Sequence, residues 1–191
     1  MAKLLASEAS WAAANASLDA HGGFGFAVEY DIERKFRETR LYQVAPINNN
    51  LVLAYLEKVD GVWSGQLHEA AEAAGARPED QLVGLFDALG SACRRDGYRG
   101  CAFLNAAAES VPGTAVHERT VAHKAAVLEW VAGLAADAGA LDPRGLARSL
   151  TLLLDGGLAS GALDADPDAS ARAAESARVL VDAALARPVG G

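Results

Sequence analysis

Apolar residues recur at intervals of three and four along most of this chain, the spacing that places them on one face of an α-helix. Glycine and proline separate these stretches, because glycine commonly ends helices and proline is tolerated only in their first turn. The pattern therefore predicts an all-α protein with eight helices. Their expected ranges are 2–20, 31–44, 51–75, 78–93, 101–109, 114–139, 141–161 and 166–186.

Three of the predicted helices carry apolar stripes that should face a core. The stripe of the third helix consists of Leu53, Leu56, Trp63, Leu67 and Ala71. That of the fourth consists of Leu82, Leu85, Phe86, Leu89 and Cys93. In the sixth helix it consists of Val116, Thr120, His123, Val127, either Trp130 or Val131, and Leu134. Asn48, Asn49 and Asn50 are candidate N-cap residues for the third helix, because their side chains accept hydrogen bonds from backbone N–H groups.

Composition agrees with a helical protein, since alanine dominates and aromatic residues make up only 6% of the 191 residues. The formal net charge of −8 argues against a surface that coats nucleic acid, although it leaves room for a local basic patch. Cys93 and Cys101 are too far apart for a CxxC motif, and two free thiols in a reducing cytoplasm are expected. The chain has no secretory leader and no apolar run long enough to cross a bilayer, so a cytoplasmic protein is expected.

The front of the chain carries two specific motifs, the glycine-rich turn HGGFGF and the basic helix with its proline stop, ERKFRETRLYQVAPI. Over residues 1–55 these motifs resemble the C-terminal helical segment of acyl-CoA dehydrogenases. The resemblance implies that Gly22, Gly23 and Gly25 are candidate FAD contacts, with Arg37 beside them. In that family the segment lies well inside the enzyme, so the chain is expected to be a coding sequence that begins partway through such an enzyme.

The same segment departs from the dehydrogenase pattern where catalysis would need it. Asp19 stands where the family usually has a glutamine, and a carboxylate near a pyrophosphate is unfavourable. Pro46 stands where some members carry their catalytic glutamate, and the domains that cover the flavin and bind acyl-CoA are absent. Without a base to remove the α-proton, dehydrogenation is not expected. The protein is therefore predicted not to be an enzyme and to hold no cofactor, with FAD as the alternative.

The remainder of the chain, about residues 50–187, carries GYRGCAFLNAAAE followed by AHKA. These motifs, together with the order and lengths of the helices, resemble the effector-binding half of TetR-family transcriptional regulators. The resemblance implies a TetR-type C-terminal domain, which consists of orthogonal helices plus a two-helix dimerisation pair. Residues 1–49 then form a dehydrogenase-like segment of two short helices in place of a helix-turn-helix headpiece, and residues 50–191 form the ligand-binding and dimerisation domain. The shared stretch LVLAYL is the expected fusion junction.

In such regulators the CAFLN helix and the long helix after it line the effector cavity, so the resemblance implies a pocket for a small hydrophobic effector. The candidate pocket residues are Phe86, Cys101, Phe103, Asn105, His123, Val127 and Trp130. For each of them singly, ordinary core packing is an equally good interpretation.

The last two predicted helices are rich in Ala, Gly and Ser, and such small residues let helix backbones approach closely. Two interpretations remain open, since these helices either pack within their own domain or pair with the same helices of a second subunit. The second predicts a homodimer. The candidate dimer residues are Leu146, Leu150, Leu153, Leu154, Gly157, Val179, Leu180 and Ala183.

A DNA-reading helix-turn-helix is not recognisable in residues 20–45, so sequence-specific DNA binding is doubtful. Arg34, Lys35, Arg37 and Arg40 are candidate DNA contacts within two helical turns. A solvated helix face, tempered by neighbouring glutamates, is the favoured interpretation, because four cations support only weak, salt-dependent binding. The four histidines show no metal-binding spacing, so no metal is expected.

These observations favour the sensor domain of a TetR-type regulator that lacks a DNA-reading headpiece. The alternative is a dehydrogenase-like fragment with residual FAD association and no catalysis. A third possibility is a folded dimer that arose by gene rearrangement and has no selected activity.

Overall fold

The computed structural model describes residues 2–44, 49–163, 166 and 168–186, without the side chains of residues 2–5 and 49. Within those ranges the chain is all-α and contains no strand. All eight predicted helices are confirmed, with ends within about three residues of expectation. They are α1 (Ala2–His21), α2 (Ile32–Val44), α3 (Asn49–Ala73), α4 (Pro78–Cys93), α5 (Ala102–Glu109), α6 (Ala115–Asp137), α7 (Pro143–Leu163) and α8 (Ala169–Leu185).

The chain divides into two compact units. The first comprises Met1–Lys58 and Asn105–Thr120, and the second comprises Val59–Leu104 and Val121–Gly191. Helices α3, α5 and α6 each contribute residues to both units. The boundary predicted between residues 49 and 50 separates the two family resemblances rather than two compact units. It stays a prediction.

The first unit is organised by the packing of α1 on α2. Trp11 and Phe36 hold the two helices together, with 4.7 Å between their ring centroids. The guanidinium of Arg40 lies over the same indole, 5.1 Å from its centroid, in a cation–π arrangement. After α1 the chain makes two short 3₁₀ turns, Gly22–Phe26 and Val28–Tyr30, which lead into α2. A small aromatic nucleus thus fixes this helical pair.

The core of the second unit lies where α4 packs against α7 and α8. Leu82 and Leu89 of α4, Leu150 of α7 and Val181 of α8 are each no more than 1% exposed. The apolar stripe predicted for α4 is confirmed, because Leu82, Leu85, Phe86 and Leu89 are buried and Cys93 is half-buried. Burying a leucine or valine side chain contributes about 1.5–3 kcal/mol, so this layer is the main source of stability in the unit.

The stripe predicted for α6 left one position open between Trp130 and Val131. Val131 is the buried residue, with no exposed surface, whereas Trp130 is half-buried. Thr120 is buried in the same stripe because its hydroxyl donates to the carbonyl of Val116 at 3.0 Å. A threonine on an apolar helix face is therefore satisfied locally.

Proline and acidic residues begin α4. Pro78 occupies the first turn, and the guanidinium of Arg77 lies 2.7 Å from the carboxylate of Asp80. The hydrogen bond from Arg77 lowers the pKa of Asp80. Arg178 of α8 also reaches Asp80 at 3.2 Å, so this half-buried pair helps to set α8 against the start of α4.

Other predicted helix ends fall outside the described residues. They are the end of α2 before Pro46, the N-cap of α3 by Asn48, and the proline near the start of α8, Pro167. Across the described residues, no helix is both long enough and apolar enough to span a membrane.

Gly84 in α4 provides a test of how closely α4 approaches the end of α3. A Cβ atom at Gly84 would lie 2.5 Å from the Cβ of Ala74 and 2.9 Å from the carbonyl oxygen of Ala70. We expect Gly84→Ala to lower the free energy of unfolding by about 1–3 kcal/mol, because backbone must move to relieve the overlap. Gly133→Ala in α6 is the matched control, since nothing lies within 4 Å of a Cβ there.

The control should raise the free energy of unfolding by about 0.5–1 kcal/mol, the ordinary gain of replacing a mid-helix glycine by alanine. Urea unfolding monitored by circular dichroism measures both effects. Equal changes in the two variants would contradict the close approach of α4 to α3.

Candidate ligand-binding site

A buried histidine connects three helices of the second unit. His123 of α6 is 2% exposed, and its Nδ1 lies 2.6 Å from Oδ1 of Asp60 on α3. The imidazole stacks on Phe103 of α5, with 3.6 Å between ring centroids and 10° between ring planes. Asp60, Phe103 and His123 are called the histidine cluster below.

The hydrogen bond to Asp60 fixes the orientation of this imidazole. A carboxylate accepts hydrogen bonds, so Nδ1 of His123 carries the proton that it donates to Asp60. Asp60 also accepts a hydrogen bond from the hydroxyl of Ser64 at 3.2 Å. The cluster therefore places an oriented polar group against an aromatic ring, the combination that orients small ligands in otherwise apolar sites.

The polar side of α3 continues for two further turns. His68 donates from Nδ1 to the carbonyl of Ser64 at 2.7 Å, and its ring lies 4.0 Å from that of Trp130 on α6. Asp60, Ser64 and His68 are spaced four residues apart, so they share one side of the helix. Two of the three face aromatic or imidazole groups of α6.

The predicted pocket residues are only partly brought together. Phe103 and His123 are in direct contact, and Trp130 packs against His68 in a tilted arrangement. Phe86 is buried in the α4 core, whereas Val127 and Cys101 are half-buried at its edge. Asn105 is exposed and belongs to the first unit. The pocket as a whole stays a prediction, with its best-defined part at Phe103 and His123.

Asp60, Ser64 and His68 were not among the residues predicted to line the pocket. Their four-residue spacing was a visible signal, and it runs alongside the apolar stripe of α3. Spacing alone could not show that Asp60 meets a histidine 63 residues later.

The connection between α4 and α5 holds a second buried polar group. Tyr98 donates its hydroxyl proton to the carbonyl of Leu158 on α7 at 2.9 Å. Burial raises the pKa of Tyr98, with a further contribution from Cys93. Cys93 and Cys101 are both free thiols in this structure, and both are half-buried. Tyr98 therefore acts as a tie between the loop and α7.

The predicted dimer residues fall into three groups according to exposure. Leu146, Leu150, Leu154 and Gly157 are buried within the second unit, Leu153 and Leu180 are half-buried, and Val179 and Ala183 are exposed. The buried group supports the interpretation that α7 and α8 pack within their own domain. The exposed group leaves the intersubunit interpretation as a prediction.

Leu152, which the sequence did not single out, forms an exposed apolar surface together with the predicted dimer residue Val179. Leu152 on α7 is 74% exposed, and Val179 on α8 is 68% exposed. Between the two helices runs an open groove of about 290 Å³, lined by residues that include Leu152, Gly156, Arg172 and Ser176. Exposed leucine and valine beside a shallow groove are typical of a helix pair that packs against a partner.

The glycine turn at the front of the chain is built for local geometry. Gly22 has φ +51, in the left-handed region, and a Cβ at Gly22 or Gly23 would meet nothing within 4 Å. Gly25 is buried, and a Cβ there would lie 2.9 Å from Cδ1 of Leu18, so the position has no room for a larger residue. Arg37 is engaged by Glu33, with 2.9 Å between nitrogen and oxygen. The FAD contacts implied by the resemblance stay a prediction, and Arg37 would have to exchange Glu33 for a phosphate to take part in them.

The basic residues of α2 are likewise matched by acids and polar groups. Arg34 contacts Asp31 and, at 2.5 Å, Glu38. Lys35 reaches Glu38 at 3.2 Å, and Arg40 donates to Gln43 at 2.5 Å. Such exposed pairs contribute little stability, but those of Arg34, Lys35 and Arg37 neutralise charge that DNA binding would need. The solvated-face interpretation is favoured, and DNA contact stays a prediction.

Comparison with known proteins accounts for the front of the chain first. The family model for the acyl-CoA dehydrogenase C-terminal domain matches residues 1–46. The (2S)-methylsuccinyl-CoA dehydrogenase of Cereibacter sphaeroides is 48% identical over 44 residues. That match covers 23% of this chain and 8% of the enzyme, so the chain spans less than a tenth of the enzyme's length. The predicted resemblance of the front segment is confirmed.

Solved structures account for the fold of most of the chain. A TetR-family transcriptional regulator from Streptomyces coelicolor is 30% identical, with a TM-score of 0.67, over 81% of this chain and 79% of that one. A candidate TetR transcriptional regulator from Streptomyces avermitilis has a TM-score of 0.64 at 23% identity, over 96% of this chain and 98% of its own, which supports the fold alone. The identity and coverage of the first likeness show that this chain belongs to the TetR family of transcriptional regulators.

Proposed function

We propose that this protein is a ligand-responsive regulator whose second unit binds a small hydrophobic or aromatic effector. The observation that carries the proposal is the histidine cluster, in which Asp60 orients His123 against the ring of Phe103. An imidazole held by a carboxylate offers directional hydrogen bonding, while Phe103 and Trp130 offer aromatic surface. An effector with an aromatic or aliphatic body and one polar group would complement both.

Besides recognising an effector, the histidine cluster would couple binding to the packing of helices. The three residues lie on three different helices, so a ligand that displaced any of their contacts would alter how α3, α5 and α6 are joined. A ligand shifts a conformational equilibrium only as far as it binds one state better than the other. Regulation at this site therefore requires an effector that competes with, or adds to, the bonds of His123.

We also propose that the protein acts as a homodimer through α7 and α8. The exposed side chains of Leu152 and Val179 support this, as does the open groove beside them. An isologous pairing of the two helices with those of a second copy would cover these side chains in both subunits. A dimeric regulator of this kind would work in the cytoplasm.

Sequence-specific DNA reading by residues 1–49 is not part of the proposal. Three of the four candidate cations of α2, namely Arg34, Lys35 and Arg37, are paired with Asp31, Glu33 and Glu38. A gel shift with duplex DNA that persists at physiological salt would overturn this element, because non-specific phosphate contacts weaken steeply with salt. The proposed output is then a change in the protein's own conformation or partners, without catalysis.

Thermal stability in the presence of effectors tests the proposal. A panel of small hydrophobic and aromatic compounds should include some that raise the melting temperature, with stabilisation of about 2.7 kcal/mol at a ligand concentration of 100 Kd. His123→Phe, which keeps a planar ring but removes the hydrogen bond to Asp60, should lose most of this response. His21→Phe, at the exposed end of α1, is the control and should keep the stabilisation by effectors.

Two outcomes would count against effector binding at this site. The first is a panel in which no compound stabilises the wild-type protein. The second is a His123→Phe variant that responds as strongly as the wild type, which would place the ligand elsewhere.

A second candidate function is residual FAD association by the front segment. The family match over residues 1–46 favours it. The pairing of Arg37 with Glu33 opposes it, because a diphosphate would have to compete for that guanidinium.

We expect an FAD titration of the purified protein to show no saturable quenching of flavin fluorescence at micromolar concentrations. The absorption spectrum of the protein as isolated should lack a flavin band. Saturable quenching, or flavin that copurifies, would instead assign the front segment a flavin-binding role.

A further inference from the structure

The front segment displays apolar side chains that nothing in its own unit covers. Along the 3₁₀ turns, Phe24 is 67% exposed, Phe26 68%, Val28 79% and Tyr30 51%. Together these four residues form what is called here the aromatic turn face. Exposed apolar side chains grouped in one short segment are typical of an interaction site.

The turn that carries this face is held in one conformation. Backbone hydrogen bonds run from Ala27 N–H to the Phe24 carbonyl at 3.0 Å, and from Tyr30 N–H to the Ala27 carbonyl at 3.1 Å. The rings of Phe24 and Tyr30 lie 5.7 Å apart, and Gly25 is packed under Leu18. The exposed rings are therefore presented by an ordered backbone, which lowers the entropy lost on binding.

The sequence match indicates what such a face would contact. The 44 residues that are 48% identical to the Cereibacter sphaeroides dehydrogenase make up 8% of that enzyme. Phe24 and Phe26 lie in the motif HGGFGF, which carries the family resemblance. In a protein many times larger than this segment, paired phenylalanines of a recurring motif are expected to be buried against the remaining chain. In this structure Phe24 and Phe26 are instead exposed.

We propose that the aromatic turn face docks onto an acyl-CoA dehydrogenase subunit, in the place that the subunit's own matching segment occupies. The front segment is then an adaptor that joins this regulator to an enzyme. It contributes no catalytic group, and any effect on the enzyme arises from replacing or displacing the matching segment. This partner goes beyond the effector-binding role of the second unit and does not depend on it.

Charge argues against a membrane as the occupant. Glu29 and Asp31 interrupt and follow the apolar side chains, and the chain carries a net charge of −8. Anionic lipid surfaces attract basic segments and repel acidic ones. A second copy of the chain is the remaining competitor, and the experiment separates it.

Co-expression of the two full-length chains tests the docking. This protein, carrying an affinity tag, is produced together with the intact (2S)-methylsuccinyl-CoA dehydrogenase of Cereibacter sphaeroides, so that subunits meet while they assemble. Native mass spectrometry of the tagged fraction should show a complex that contains both chains. The variant Phe24→Ser/Phe26→Ser should reduce the recovered dehydrogenase by about 30-fold or more, the effect of losing an interface hot spot.

The control variant is Leu141→Ser/Val121→Ser, which removes exposed apolar side chains from the second unit outside the proposed dimer surface. It should leave recovery of the dehydrogenase unchanged. All substituted side chains are exposed, so circular dichroism should show the same helix content in every variant.

Three results would overturn the proposal. Recovery of no dehydrogenase with the wild-type protein would remove the partner, and equal recovery with the Phe24→Ser/Phe26→Ser variant would remove the face. Self-association of this chain that the same variant abolishes would assign the face to a second copy.

Discussion

Leu152→Asp combined with Val179→Asp is expected to convert the protein from a dimer to a monomer. The two side chains are 74% and 68% exposed in the single chain, so aspartate at these positions costs the isolated fold little. In the proposed isologous pairing each position occurs twice, which would place four carboxylates in an apolar contact. Burying unpaired carboxylates costs several kcal/mol each, enough to abolish a micromolar dimer.

Sedimentation equilibrium measures this effect directly. The wild-type protein should have the mass of two 19.7 kDa chains, and the double variant the mass of one. Leu141→Asp is the control, since Leu141 is 70% exposed but precedes α7, outside the groove. A wild-type protein that is monomeric at micromolar concentration would end the dimer proposal, and a double variant that remains dimeric would place the interface on another surface.

The register of α7 illustrates what a sequence pattern resolves and what it does not. The run LTLLL places leucines on several sides of the helix, so periodicity alone could not tell an inward from an outward residue. Leu150 and Leu154 face the core, Leu153 is half-buried, and Leu152 faces outward. Packing against α4 and α8 made that choice, and a single helix contains no record of it.

Helix positions were predictable for a simpler physical reason. Glycine and proline act on their own backbone, so Pro78, Gly139 and Pro143 mark helix ends regardless of tertiary context. The alternation of apolar and polar positions likewise depends only on the helical repeat. The elements of the fold therefore followed from local chemistry.

The histidine cluster required information that local chemistry lacks. His123 was recognisable as a polar residue in an apolar stripe, but its partner Asp60 lies on another helix. Asp60 resembled one more solvated carboxylate on the polar side of α3. Only the crossing of α3, α5 and α6 identifies it as the residue that orients His123.

The front segment shows a different limit. Its motifs allowed the sequence to predict the resemblance to acyl-CoA dehydrogenases, and the aromatic residues were visible in the same motif. The exposure of Phe24 and Phe26 was not predictable, because the pattern of an apolar residue is the same whether or not a partner covers it. Only the structure shows that both side chains are about two-thirds exposed.

Asp60→Ala is expected to lower the free energy of unfolding by about 1–3 kcal/mol, the cost of removing one partner of a buried hydrogen bond. The substitution removes the carboxylate that Nδ1 of His123 contacts at 2.6 Å. His123 itself is only 2% exposed. It also removes the acceptor of the Ser64 hydroxyl. Glu69→Ala, at an exposed position on the same helix, is the control and should change the free energy by less than about 0.5 kcal/mol.

A double-mutant cycle separates the hydrogen bond from packing. His123→Phe keeps the stack on Phe103 but cannot donate to Asp60, so adding Asp60→Ala to it should cost much less than in the wild type. The coupling energy from urea unfolding should be about 0.5–3 kcal/mol, the range for groups in direct contact. Strict additivity would mean that Asp60 stabilises α3 on its own account, and the carboxylate would then have no part in orienting the imidazole for a ligand. A measurable coupling would instead identify the Asp60–His123 bond as the contact that an effector must replace or preserve.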